Sequence, residues 1–305
     1  MKKVILTIGI LVVIAVTIGT FFKDNIIYEY NVVTVKNNFS NIDTNSYYLQ
    51  DNFSYVENYS DLNIKSKNDL INYIYYALNT GTTYIERYAD KSYTNYLEEL
   101  NTLTEADGLS EIVSILNDFV HPFNSSKNMN ISYSESGKIA LDIKKVYSNE
   151  EIDTINQIVN NVIENNIKSN MTTWEKIKVI HDYIINNTEY DKLKYENIYD
   201  TTYKSNTAYG VLIEGYGTCS GYADTMAIFL NKLGIVNYKI SNQEHIWNLV
   251  YLNGSWYHLD ATWDDPISEA NINRDTYFLI NYNTLKELDD NVHYFNKYIY
   301  PEGLN

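Results

Sequence analysis

The stretch GYGTCSGYADTMAIFLNKLGI, residues 215–235, holds Cys219, the only cysteine of the chain. A glycine-bearing loop leads into it. Ala223, Met226, Ala227, Leu230 and Leu233 then recur at helical spacing, and Gly234 closes the run. That is the pattern of a helix ended by a glycine. Cys219 is therefore expected at a helix N-terminus. There the unpaired N–H groups and the helix dipole favour an anionic sulfur, and the same amides are placed to hold an oxyanion. The bland reading of a lone cysteine is a small buried hydrophobe. A catalytic thiolate also needs a base within hydrogen-bond reach and a third group to orient that base.

Both are found downstream in EHIWNLVYLNGSWYHLDATWDDP, residues 244–266. Asn-Gly between two alternating runs predicts a hairpin with a two-residue loop at Asn253 and Gly254. In that register Leu252 faces Ser255, Trp247 faces Asp260 and His245 faces Thr262. His245 and Asp260 then share a face as diagonal neighbours, about 7–8 Å apart along the backbone and within reach of a side-chain hydrogen bond. A slip of one residue would put them on opposite faces. His258 shares the face of Asp260 but lies further from His245 along the hairpin, so it is read as a neighbour or a surface strand residue. Trp247, Trp256 and Trp263 are read as core or groove walls. Asp264 and Asp265, before Pro266, are two carboxylates without a full calcium loop, which is the pattern of a turn. Tyr209 and Tyr216 are weak candidates for an added hydroxyl at an oxyanion site.

With these residues in hand, GYGTCSGYADTMAIFLNKLGI, HIWNLV and WYHLDATWDDP closely resemble the transglutaminase-like superfamily, which shares a papain-like Cys-His-Asp core. EKIKVIHDYIINNTEYD and TAYGVL upstream also look like bacterial members. The resemblance covers about 172–266 and extends towards the C-terminus through TYFLINYNTLKELDDNVHYF. It implies Cys219 as nucleophile, His245 as general base and then acid, and Asp260 as the group that holds the imidazole. Ile246 departs from the small residue that many relatives carry after the histidine.

The rest of the chain frames this core. Its 305 residues bury a large core without disulfides, and 45% hydrophobic with 20% charged residues marks a folded protein. A net charge of −16 disfavours nucleic acid and anionic surfaces. Lys2 and Lys3 precede Val4–Phe22, an uncharged run about long enough to span a bilayer. Residues 1–23 are expected to be an uncleaved membrane anchor that leaves the rest outside the cell. The alternative is secretion after signal cleavage, for which the run is long and lacks an A-x-A-like end.

Residues 24–147 are read as a polar stalk and a small α+β domain. It holds a helix capped by Ser66 with Asp69 and closed by Gly81, a strand at 82–89, helices near 93–105 and 109–119, and two strands about Gly137. His121 is read as structural. Residues 148–305 are read as the catalytic domain, opened by capping boxes Ser148/Glu151 and Thr172/Glu175. His181 sits beside the apolar stripe of the second of these helices and is read as a core or boundary histidine. No Cys pair has metal-ligand spacing and no glycine-rich phosphate loop is present, so neither zinc nor a nucleotide is expected.

The whole is read as an α+β protein, with the nucleophile at a helix N-terminus packed on an antiparallel sheet. Its expected function is thiol-dependent acyl transfer on protein carboxamide or peptide bonds, without a cofactor. The substrate would be a protein or peptide, with surface or cell-wall-associated proteins as candidates. The alternative is an extracellular, catalytically idle module that binds proteins or wall polymers.

Overall fold

Local signals set most element boundaries. A computed structural model describes residues 28–29, 44–58, 63–105, 107–265, 274–288 and 291–304. The expected anchor over 1–23 lies outside them. Among the described residues no helix is long and apolar enough to cross a membrane.

Ser66 caps α1 (Lys67–Asn79) by accepting from the Asp69 N–H, and Gly81 turns the chain away at φ +77°. β1 (Tyr84–Tyr88), α2 (Tyr96–Thr104) and α3 (Gly108–Asn117) follow. β2 (Ser126–Tyr133) and β3 (Lys138–Lys145) flank the turn at Gly137, giving an antiparallel sheet of order β1-β3-β2. His121 is structural: its Nδ1 accepts from the Phe123 N–H at 3.1 Å, and burial pushes its pKa down to about 3.

Both predicted capping boxes form, at the starts of α4 (Asn149–Asn166) and α5 (Thr173–Asn187). β4 (Glu189–Tyr190) pairs in parallel with β5 (Tyr216–Gly217). A short helix α6 (Lys192–Glu196) and a π turn at Gly210–Glu214 lie between them. Then comes α7 (Cys219–Lys232), followed by an antiparallel sheet of β6 (Asn237–Ser241), β7 (Ile246–Leu252) and β8 (Ser255–Leu259). α8 (Tyr282–Leu288) follows them. Mixed helices and antiparallel sheets in this arrangement form an α+β papain-like core.

The β7–β8 register is the one the Asn-Gly loop dictates, with Leu252 facing Ser255 and Asn248 facing Leu259. Asn253 and Gly254 both take positive φ, as a type I′ turn requires. β7 is buried on both faces. Trp247 and Leu249 join Tyr238, Ile240, Phe119, Tyr73 and Tyr300 in one apolar cluster. Val250 and Leu252 join Met226, Phe229, Ile180 and Val159 in another. The alternation of a strand thus serves two cores at once. Each such side chain, fully buried, contributes about 1.5–3 kcal/mol.

One charged contact bridges the α7 side of this sheet. Lys239 of β6 meets Asp224 of α7 at 2.6 Å, both buried. Asp224 also accepts from the Tyr147 hydroxyl at 2.7 Å. Nearby, Asp118 accepts from Ser241 and Tyr300. Burial pushes the Asp118 pKa up to about 6, against the opposing pull of Lys239. A carboxyl whose folded pKa is raised gains stability as pH falls through that value toward the unfolded one. Replacing Lys239 with Met should therefore cost about 3–5 kcal/mol near neutral pH, the cost of leaving a buried charge unpaired. The loss should be smaller at pH 5 than at pH 8, because Asp118 can then take up a proton. Guanidinium unfolding of both proteins at the two pH values checks this, and equal losses would contradict it.

Candidate active site

Cys219 owes its position to the backbone around it. The Glu189 and Asp191 N–H groups donate to the Gly215 and Gly217 carbonyls, each at 2.9 Å, and the Thr218 N–H donates to the Ser205 carbonyl at 2.9 Å. This tethers the chain just before the first turn of α7. A Cβ at Gly221 would lie 2.2 Å from the Ser205 carbonyl oxygen, so only glycine lets the loop pass this close to the helix. The Thr218 hydroxyl is turned to Asn206 at 2.8 Å, and no side chain caps the helix. The first-turn N–H groups are thus left for another partner. The thiol itself is half-buried.

His245 enters from the turn before β7. The Asn242 carboxamide oxygen accepts from the Glu244 and His245 N–H groups, each at 2.8 Å. The ring lies parallel to Trp247, centroids 5.7 Å apart, and Trp263 closes one edge at 6.2 Å. Its Nε2 meets Asp260 Oδ2 at 2.5 Å. That leaves Nδ1 for the Cys219 side.

Asp260 follows directly on β8 and is buried. Its Oδ1 accepts from the Thr262 and Trp263 N–H groups at 2.8 and 3.2 Å. Burial alone would raise this carboxyl, but the charge and hydrogen bond of His245 hold it well below the usual carboxylate range. For His245, burial opposes the charged ring. The Asp260 charge and hydrogen bond outweigh that, the Cys219 thiol adds to them, and together they push the pKa from 6.5 to about 10.

The structure therefore brings together Cys219, His245 and Asp260, the three residues the sequence singles out. His258 is not a surface residue: it is buried, accepts from the Trp247 indole at 3.0 Å and meets the Gly303 carbonyl at 2.9 Å. His181 is fully buried and meets Asp264 at 3.1 Å. Asp265 accepts from Tyr222 at 2.6 Å and from Arg274 at 2.5 Å. The Asp264–Asp265 turn is thus pinned to α5 and to α7. Neither Tyr209 nor Tyr216 stands out beside the thiol; Tyr216 stacks on Tyr203. Tyr190 is the tyrosine within electrostatic reach of Cys219: burial first, and then the thiol's charge, push its pKa up to about 12.

One site residue has no sequence precedent. His293 meets the same Asp260 oxygen at 2.8 Å through its own Nε2. Its only sequence signal is its place in the tail through which the resemblance extends. Together with His245 and Asp260 it is one of two clusters of metal-capable groups among the described residues. In this one the contacts of 2.5 and 2.8 Å suit two N–H···O hydrogen bonds. Two ligands on a zinc with bonds of about 2.0–2.1 Å sit roughly 3.3 Å apart. In the other, His181, Asp182 and Asp275, the Lys178 ammonium already pairs with both carboxylates, at 2.6 and 3.0 Å.

Residues 160–261 match the family model of the transglutaminase-like superfamily. This chain carries a transglutaminase-like domain. The matched segment runs from within α4 to just past Asp260 and contains Cys219, His245 and Asp260. Comparison with curated proteins gives no match. Among solved structures, one described as "Crystal structure of a TGase" is similar at 16% identity and a TM-score of 0.35, over 48% of this chain and 47% of that one. The likeness thus spans less than half of that protein's length.

The imidazole of the transglutaminase-like domain carries a testable sign. A raised His245 pKa contributes stability that is complete below pH 6.5 and fades as pH rises to about 10. The depressed Asp260 carboxyl contributes stability that is lost as pH falls below its ordinary value of 3.8. Asp260→Asn should bring the His245 titration down to 6.5 or below, read by histidine ¹⁵N NMR. Its stability deficit against wild type should be largest between about pH 4 and 6.5 and shrink towards pH 10.

Proposed function

We propose that the chain is a thiol-dependent acyl-transfer enzyme acting on protein carboxamide or peptide bonds, with Cys219, His245 and Asp260 as its triad. The observation that carries this reading is the buried 2.5 Å contact of His245 with Asp260, with Cys219 at a helix start on the other side of the ring. In the proposed reaction the Cys219 proton passes to His245 Nδ1, and the sulfur attacks the carbonyl carbon. The carbonyl π electrons move to oxygen, where the uncapped N–H groups of the first turn of α7 receive the charge. The C–N bond then breaks, and the leaving ammonia or amine takes the proton from Nδ1. A thioester remains. An amine or water adds to it, Nδ1 takes the incoming proton, and the thiolate departs. An amine gives crosslinking and water gives hydrolysis. The chemistry of this chain's residues is the same in both cases.

Asp260 stabilises the imidazolium formed in each half-reaction. Tyr190, within electrostatic reach of the thiol, is proposed as a further donor to the developing charge. Residues 1–23 are proposed to anchor the protein in a membrane with the triad outside the cell. Full-length protein that is released from membranes by salt alone would contradict that placement.

For the chemistry itself, iodoacetamide alkylation of Cys219 in residues 24–305 is followed against pH, beside His245→Ala. An ordinary thiol is ionised roughly one part in 300 at pH 6. A thiolate–imidazolium pair should therefore label up to about 100-fold faster than an ordinary thiol at pH 6, and the variant should lose that advantage. An ordinary thiol profile, unchanged in the variant, would remove the enzyme reading. Amine incorporation and ammonia release, measured on a glutamine-containing protein, then separate transfer from hydrolysis.

A further inference from the structure

We infer that His293 is a positioning residue of this site, holding the same Asp260 oxygen that His245 meets. The inference rests on the acyl-transfer reading above. Both imidazoles place Nε2 on one carboxylate oxygen, at 2.5 and 2.8 Å, and all three residues are buried. An ionised carboxylate has about four acceptor positions. Here Oδ1 receives two backbone N–H groups and Oδ2 the two rings. Rotation of the carboxylate in either direction would break these contacts at a position buried from solvent. In either charge state, His293 can only donate to that oxygen. It therefore fixes the carboxylate's direction, and with it the plane of the His245 ring and the aim of Nδ1.

His293 is itself held by features that involve the same turn. The Asn242 carboxamide, whose oxygen accepts from the His245 N–H, donates its nitrogen to the Val292 and Tyr294 carbonyls, each at 2.7 Å. One side chain thus ties the His245 turn to the backbone on both sides of His293. The His293 ring stacks on Tyr277 at 4.7 Å, and Trp247 and Trp263 each meet it edge-on at 5.0 Å. This box leaves the ring little freedom to swing off Asp260.

A second consequence is electrostatic. Two N–H donors divide the negative charge of one oxygen. His245 therefore receives less of it than it would from an unshared carboxylate, and its proton is easier to give to the leaving amine.

The test compares His293→Phe, which keeps ring volume without a donor, with His293→Gln, whose side-chain amide can donate. Alkylation of Cys219 is followed against pH, with amine incorporation as the turnover readout. The Phe variant should lose about 10- to 100-fold in turnover, the range for partners that orient reacting groups. The alkaline limb of its labelling profile should move up by roughly half a pH unit or more, because His245 then has the carboxylate to itself. Gln should recover most of the rate and return the limb toward wild type. A folded Phe variant with wild-type rate and limb would overturn the inference, as would one that loses only thermal stability.

Should Phe fail to fold, ¹⁵N NMR of the wild type decides. Two downfield, slowly exchanging imidazole Nε2–H protons, both lost in Asp260→Asn, are expected, and a single one would overturn it. This reading is separate from the chemistry. If wild-type Cys219 labels as an ordinary thiol, the acyl-transfer reading fails, whatever the NMR shows.

Discussion

A single carboxylate, buried and saturated with N–H donors, organises the candidate site of this protein. Asp260 costs free energy to bury, and only the density of donors around it offsets that cost. Its position follows from three separate parts of the fold. The hairpin supplies its backbone, the turn after β8 supplies two amides, and segments on either side in sequence supply the two histidines. Displacing any of these would leave a charge in an apolar setting, so the geometry of the site and the stability of its surroundings are one problem. The Asp264–His181 and Asp265–Tyr222 contacts extend the same logic outward and fasten the turn after Asp260 to α5 and to the helix that carries Cys219.

What was legible in the sequence was whatever depends on neighbours along the chain. Ser66, Ser148 and Thr172 announce helix starts because their hydroxyls act on N–H groups a few residues away. Asn253-Gly254 sets the register of β7 and β8 because left-handed backbone is accessible there. From that register alone His245 and Asp260 fall on one face. The helix at Cys219 is legible from its apolar spacing and from Gly234.

The rest depends on contacts between distant segments. His293 lies 33 residues beyond Asp260 in a stretch with no period to place it. Tyr190 comes within electrostatic reach of the thiol because β4 pairs with β5, a parallel two-residue contact too short to leave a pattern. His258 reads as an outward strand residue from its polarity. It is buried because the Gly303 carbonyl and the Trp247 indole satisfy both ring nitrogens. The link between Lys239 and Asp224 is invisible for a similar reason: a lysine inside a strand normally marks a solvent face.

The stretch from 291 to 304 carries a consequence for how the protein is made. It supplies His293 to Asp260, the Gly303 carbonyl to His258, Tyr300 to the cluster around Phe119, and Glu302 to both Ser54 and Tyr238. A ribosome extends the chain from the other end. While these residues are still to be synthesised, Cys219, His245 and Asp260 are all present, yet Asp260 lacks one of its four donors. A chain stalled before residue 291 would thus carry all three of these residues without the His293 contact to Asp260, the Gly303 contact to His258 and the packing of Tyr300.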